Sequence, residues 1–271
     1  MNLRLQKQII IAVIFFLIIG GIGFLIYKSF SPKPSCFDGI LNQQEEKIDC
    51  GGPCEVCKPE IKEIQVLSAV VLPIPNTNFY TISARLRNPN TESGGEKVNF
   101  NFVLYNDSGA VNNPVASFFK ETFILPSETK YILEPKFESD EIITRAEVEI
   151  KNVFWQKLKD YQEPRLDIDR ETFKYENGVS KVSGVVTNKT NFDFDKVIIN
   201  AILFDEKNLT AGANLTQIKT LISGEERYFE VSWPWEIKDI KGIKVEAETD
   251  IFLQDNFIKK HGTQEKFQTY Y

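Results

Sequence analysis

Residues 80–86 read YTISARL, and residues 197–204 read VIINAILF. We interpret both stretches as alternating apolar and polar residues, which is the period of a half-buried β-strand. Similar stretches, rich in Phe, Ile, Val and Tyr, recur through residues 60–254, with clusters of Asn, Gly, Pro and Asp between them. This pattern predicts an all-β fold of short antiparallel strands.

The strand-rich region is similar to itself at an offset of about 100 residues, which indicates an internal repeat. Residues 84–88 (ARLRN) align with 184–188 (GVVTN), and 125–128 (LPSE) align with 222–225 (ISGE). Each copy has about six or seven short strands, the number expected for an immunoglobulin-like antiparallel β-sandwich. The repeat therefore predicts two sandwiches in tandem.

The second copy also carries a recognisable pattern in three places: VSGVVTN at 182–188, AILFD at 201–205 and ISGE at 222–225. In these residues it resembles the FxLYD-type family of Ig-like extracytoplasmic domains. The first copy has Ala84 and Ser127 where that pattern has glycine, so its membership rests on the repeat. The resemblance implies a binding or spacer module with no catalytic residues to carry over.

An uncharged apolar stretch, residues 9–27, reads IIIAVIFFLIIGGIGFLIY and is long enough to cross a hydrocarbon core of about 30 Å as a helix. Arg4 and Lys7 precede it, which favours a cytoplasmic N-terminus. A cleaved signal peptide is the alternative, but the apolar run is long for one and no A-x-A-like cleavage site follows. The sequence predicts a retained signal-anchor that contacts the lipid bilayer through residues 9–28 and holds the later domains outside the cytoplasm.

All four cysteines, Cys36, Cys50, Cys54 and Cys57, lie in the stretch CFDGILNQQEEKIDCGGPCEVC. So short a segment cannot bury a core and needs covalent or metal cross-links. Two disulfides would form in an oxidising compartment, whereas four thiolates could hold a structural zinc. The lack of a second C-x-x-C pair favours disulfides, and three pairings stay open.

The cysteine stretch resembles a short motif of bacterial and archaeal surface proteins, C-x-D-G-x-x-N-x-x-E-x-x-x-D-C-G-G-x-C-x-x-C. The resemblance implies an extracytoplasmic location and no activity.

Two sets of residues are candidate ligand sites. Asp38, Asn42, Glu45 and Asp49 offer oxygen ligands at short spacing, which could suit Ca²⁺, although turn-forming side chains are the alternative. The spacing is not that of an EF-hand. Trp233 and Trp235, on either side of a proline, are a candidate stacking platform for a ligand such as a sugar, although packing in a sandwich core or between the domains is favoured.

Charge and histidine content exclude several functions. The chain has a net charge of −6; residues 1–30 hold three basic and no acidic residues, leaving 29 basic against 38 acidic ones, or −9. An acidic exterior without a basic stripe argues against a nucleic-acid partner. The one histidine, His261, is interpreted as a solvated tail residue, which nearly excludes Ser-His-Asp, Cys-His and multi-histidine metal chemistry.

The predicted fold class is all-β: two tandem immunoglobulin-like antiparallel β-sandwiches, preceded by a single N-terminal transmembrane α-helix and a small cysteine-rich module. The predicted boundaries are a cytoplasmic tail (1–8), the helix (9–28), the cysteine-rich module with linkers (29–59), sandwich 1 (60–153), a connector (154–164), sandwich 2 (165–254) and a polar tail (255–271).

The predicted function is that of a non-catalytic, single-pass membrane protein that presents two Ig-like domains to a protein or glycan partner at the cell surface or envelope. No cofactor is expected. A structural or assembly subunit of an envelope complex is the alternative. An enzyme without histidine would need a carboxylate pair, as glycosidases have, and no pair stands out from the surface acids.

Overall fold

The computed structural model describes residues 3–30, 35–57, 61–106, 114–158 and 163–256. Its first element is helix α1, Leu3–Phe30. Residues Gln6–Ser29 are long and apolar enough to cross a membrane, and none of this stretch is buried against other described residues. A signal sequence would satisfy the same criteria of length and composition. The cysteine-rich module follows at residues 35–57.

Beyond the module the main regular elements of the described chain are β-strands, six in each half. The first six are β1 Gln65–Pro73, β2 Phe79–Arg87, β3 Ser93–Tyr105, β4 Ala116–Ile124, β5 Thr129–Glu138 and β6 Arg145–Lys157. The second six are β7 Leu166–Glu176, β8 Val179–Asn188, β9 Phe194–Phe204, β10 Thr210–Leu221, β11 Glu226–Trp233 and β12 Gly242–Glu248, with a 3₁₀ turn at Gln254–Asn256.

The strands form four antiparallel sheets, two in each sandwich. Sandwich 1 packs β1-β2-β5 against β4-β3-β6, and sandwich 2 packs β7-β8-β11 against β10-β9-β12. When the strands of each half are numbered from one to six, both halves have the same order, 1-2-5 and 4-3-6. The all-β prediction and the two-sandwich architecture are thus confirmed.

Each sandwich has an apolar core between its sheets. Ile82, Phe102 and Ile124 are fully buried in the first, and Phe194, Leu203 and Trp233 in the second. Burial of each such side chain contributes about 1.5–3 kcal/mol. Because successive side chains of a strand point to opposite sides of its sheet, every second residue of β11 from Phe229 to Trp233 reaches this core.

A buried asparagine closes the corner after the second strand of each half. Asn88 Nδ2 donates to the carbonyls of Ser93 and Leu125, at 2.8 and 2.9 Å. Asn188 Nδ2 donates to the carbonyls of Phe192 and Leu221, at 2.7 and 3.1 Å. A buried amide that satisfies backbone carbonyls in this way fixes the path of the chain between the two sheets. These asparagines end the two segments that align in the sequence.

The two sandwiches are in contact: the outer face of sheet β1-β2-β5 packs against the outer face of sheet β10-β9-β12. Tyr131, Ile202 and Ala213 form one buried cluster, with Leu133 and Phe204 packed around it. The core of sandwich 2 also includes Phe123 and Leu125 of sandwich 1. We call this buried contact between the sandwiches the joint.

Two predicted boundaries were wrong. Residues 154–157 continue β6, since Lys157 is paired with Ser93 and the N–H of Leu158 donates to the carbonyl of Glu92. They therefore belong to sandwich 1 rather than to a connector.

The predicted tail also begins too early. Asn256 is buried, and its Oδ1 accepts the N–H of Lys196 at 2.9 Å. Residues 255–256 therefore close sandwich 2, while residues 257–271, with His261, lie outside the described residues.

Candidate functional site

The four cysteines form two crossed disulfides. Cys36 is bonded to Cys54, and Cys50 to Cys57. The prediction of disulfides is confirmed, and one of the three open pairings is now assigned. Because every sulfur is used in this way, the chain in this state offers no thiolate to the zinc ion of the alternative interpretation.

The candidate calcium ligands hold the backbone of the module. Asp49 Oδ1 accepts the N–H groups of Asp38 and Gly39 at 3.0 Å each. Glu45 Oε2 accepts the N–H groups of Asn42 and Asp49 at 3.3 Å each. These are the contacts of turn-forming side chains. The calcium site stays a prediction, and a bound ion would compete with these N–H groups for the same oxygens.

Asp38 is bonded to the module in the same way. Its carboxylate accepts the side-chain amide of Asn42 and the N–H groups of Ser35 and Ile40. The hydrogen bond from Asn42 lowers the pKa of Asp38 most, and those from Ser35 and Ile40 lower it further. The ionised form is therefore the one that the loop stabilises.

Trp233 is packed in the sandwich core, the favoured interpretation of the tryptophan pair, and is not part of a stacking platform. Trp233 is 1% exposed, and its Nε1 donates to the carbonyl of Ala213 at 3.4 Å. It is the third inward residue of β11, after Phe229 and Val231, so the strand alternation directs it into the core. Trp235 follows the end of that strand and is partly buried against the same core. The two indoles therefore offer no shared open face for a sugar.

A cleft of about 670 Å³ lies beside the joint. It lies where the β4–β5 turn of sandwich 1 meets the start of β7 and the end of β12. Two basic residues, Lys130 and Arg165, line it together with an excess of acidic residues: Glu128, Glu163, Asp167, Asp169, Glu171, Glu246 and Glu248. We call it the acidic cleft.

A buried lysine lies at the inner end of the acidic cleft. Lys130 belongs to sandwich 1, is 3% exposed and forms an ion pair with Glu248 of sandwich 2. Its Nζ also donates to the carbonyl of Phe123 at 3.0 Å and lies 3.8 Å from the centre of the Phe123 ring. Burial alone would lower the pKa of Lys130, but Glu248 and Glu128 outweigh it and the pKa is raised. The ammonium group therefore stays charged inside the joint.

Two backbone groups of the joint are also satisfied across it. The N–H of Tyr131 donates to Glu246 at 2.9 Å, and Asn200 Nδ2 lies 3.4 Å from the Tyr131 carbonyl. Asn200 also donates to Glu248 at 3.0 Å. These hydrogen bonds between the sandwiches form only when the sandwiches are placed as they are here.

The pKa of Glu128, which also lines the acidic cleft, is shifted. Burial raises its pKa from 4.5 to about 7, while Lys130 and the N–H of Leu125 act in the opposite direction. Burial also raises the pKa of Asp250. In the folded chain Glu128 binds its proton more tightly than in the unfolded chain, so its contribution to stability is complete below pH 4.5 and is lost as the pH rises towards 7.

The joint was missed in the sequence, although one signal was present. The alternation assigned to residues 197–204 (VIINAILF) was wrong: the run is almost continuously apolar, which is typical of a strand covered on both faces. On β9 the side chains of Ile199 and Leu203 reach the core, while Asn200 and Ile202 are buried in the joint.

Comparisons with known proteins add little to this picture. No family model matches the chain, and no curated protein matches it either. Among 72 matching chains of solved structures is red sea bream transglutaminase, which is 9% identical, with a TM-score of 0.23. The match covers 70% of this chain and 30% of the transglutaminase. So low a TM-score supports no inference about fold or activity.

Proposed function

We propose that this chain is a single-pass, non-catalytic membrane protein whose N-terminal helix holds a two-sandwich body outside the cytoplasm for contact with a protein partner. One observation carries the proposal. An apolar helix with no buried residues is followed at once by a module closed by two disulfides. Such a helix needs lipid to cover it, and the disulfides need an oxidising compartment on the side of the module.

Within this proposal the two sandwiches are copies of one ancestral domain of the FxLYD type, and residues 36–57 are the surface-protein cysteine motif. The shared strand order and the matching buried asparagines, Asn88 and Asn188, support a duplication. Domains of this type imply binding or spacing rather than catalysis.

A protein partner is favoured over a glycan partner. Sugar binding would need two accessible indoles, and Trp233 is enclosed in the core. The joint is also consistent with a presentation function, because two sandwiches fixed by buried contacts offer a partner one preformed surface and lose little freedom on binding. The alternative remains an assembly subunit, in which α1 itself contacts other membrane helices.

Topology is tested by thiol labelling of intact cells. Lys174→Cys places an exposed thiol on sandwich 2, and Lys7→Cys places one before the apolar stretch. We expect a membrane-impermeant maleimide to label the first variant in intact cells and the second only after permeabilisation. The reverse pattern would overturn the proposal, and so would recovery of a mature chain that lacks residues 1–30.

The two functions differ in the size of the native species. A presentation module should be extracted by mild detergent as a monomer or small oligomer, with its partner bound reversibly. An assembly subunit should be recovered in a large complex that survives detergent. Size-exclusion chromatography with light scattering on the chain from its native membrane separates the two.

A further inference from the structure

The cysteine-rich module exposes large apolar side chains while it buries a carboxylate. Five large apolar side chains are each more than half exposed: Phe37 at 87%, Ile40 at 54%, Leu41 at 59%, Ile48 at 57% and Val56 at 85%. By contrast, Glu45 is 9% exposed, and its carboxylate bonds the backbone of the module. The disulfides and carboxylates stabilise the fold of the module, so these apolar side chains are available to contact something else.

The position of the module in the chain indicates what these apolar side chains contact. Helix α1 ends at Phe30, and the described module begins at Ser35. Five residues of extended chain span at most about 18 Å. A module tethered to a membrane helix by so short a segment stays beside the headgroup region, which is about 5–7 Å thick on each side of the hydrocarbon core.

We propose that the cysteine-rich module, residues 35–57, is a membrane-surface element whose Phe37, Ile40, Leu41, Ile48 and Val56 side chains insert into the interfacial region of the bilayer. The inference rests on the proposed function, because it requires α1 to span the membrane. It assigns the module a ligand, a lipid surface, in addition to its disulfides.

The charge of the module indicates which kind of lipid suits it. The module carries five acidic residues and one basic residue, Lys47. Three of the acids, Asp38, Glu45 and Asp49, accept hydrogen bonds within the module. With no basic cluster, binding depends on apolar contact rather than on attraction to anionic headgroups. A zwitterionic phosphatidylcholine surface is therefore the expected partner.

The test uses the full chain in phosphatidylcholine vesicles and compares ordinary lipid with lipid brominated near the headgroup end of the acyl chains, which quenches tryptophan fluorescence on contact. Phe37→Trp places the probe in the module, and Val56→Trp repeats the measurement at a second site. Phe119→Trp is the matched control, since Phe119 is 59% exposed on β4 of sandwich 1. Each signal is taken after subtraction of the emission of the parent chain in the same lipid.

We expect brominated lipid to remove most of the added emission of Phe37→Trp and Val56→Trp, and to leave that of Phe119→Trp unchanged. An alkaline carbonate wash of the same vesicles tests the membrane anchor separately from the contact of the module with lipid. Release of the chain would overturn both the anchor and the inference. Retention of the chain without quenching at positions 37 and 56 would overturn only the inference and would indicate a protein partner or a second copy on these side chains.

Discussion

Lys130 is the residue whose removal should weaken the joint most. It belongs to β5 of sandwich 1, is 3% exposed and forms an ion pair with Glu248 of sandwich 2. Lys130→Met keeps most of the apolar stem and removes only the ammonium group. The variant leaves the Glu248 carboxylate, whose side chain is 14% exposed, without its cationic partner.

The magnitude follows from what the ammonium group does. Removal of one partner from a buried ion pair costs about 3–5 kcal/mol, mostly because the other charge is left buried and uncompensated. The contact with the Phe123 ring, worth about 0.5–2 kcal/mol, is part of that loss. For a unit of this size we expect the melting temperature to fall by about 6–20 °C. Lys130→Met/Glu248→Met removes both charges and should recover most of the loss.

Chemical denaturation of the full chain in mild detergent measures the effect, with tryptophan fluorescence as the signal. Trp155 is packed against the core of sandwich 1 and Trp233 lies in that of sandwich 2, so the signal reports on both bodies. Lys207→Met, at an exposed turn, is the matched control and should change stability by less than about 0.5 kcal/mol. A Lys130→Met variant as stable as the control would refute the reasoning, and so would a double variant less stable than the single one.

Three further predictions concern the turn beside the joint and the cysteine-rich module. Between pH 4.5 and 7 the raised pKa of Glu128 should lower the free energy of unfolding by up to about 3 kcal/mol as the pH rises, and Glu128→Gln should remove this slope in denaturation curves taken at each pH. Ser127 has a φ of 59°, and its counterpart Gly224 has a φ of 77°, a backbone conformation that favours glycine. Ser127→Gly should therefore stabilise the chain by about 0.5–1 kcal/mol, and Gly224→Ala should destabilise it by a similar amount. Thermal melts in which both variants shift the melting temperature in the same direction would contradict this reasoning. Cys54→Ser should leave both sandwiches folded, because the module lies outside their cores, and loss of β-type circular dichroism would show that they depend on it.

The parts of the fold that the sequence predicted are those set by short-range pattern. Alternation at residues 80–86 identified β2, and the aligned segments that end at Asn88 and Asn188 fall at equivalent strand ends. The uncharged run at 9–27 lies within one helix. Each of these segments has at most nineteen consecutive residues, a range over which hydrophobic period and propensity are informative.

The features that were missed depend on contacts between distant residues. Spacing alone could not choose among three cysteine pairings, because each closes a loop of acceptable length. Packing was favoured for Trp233, but which of the two indoles enters the core depends on the alternation along β11, which directs Trp233 inward. The end of β6 was set too early because the partner of Lys157 is Ser93, sixty-four residues before it.

The joint explains why β9 has no period-two pattern, and it indicates what the buried charges contribute. An apolar face alone would permit the two sheets to slide against each other, since hydrophobic contact is not directional. Asn200 and Lys130 remove that freedom, because the hydrogen bonds of Asn200 to Tyr131 and Glu248 and the ion pair of Lys130 form in only one register. We infer that these groups specify the arrangement of the sandwiches more than they stabilise it. If so, the Lys130→Met/Glu248→Met variant will be stable but will hold the sandwiches less uniquely, and distance distributions between spin labels on Lys174 and Phe119 will broaden. An unchanged distribution would show that the apolar contacts of Tyr131 and Ile202 fix the joint by shape alone.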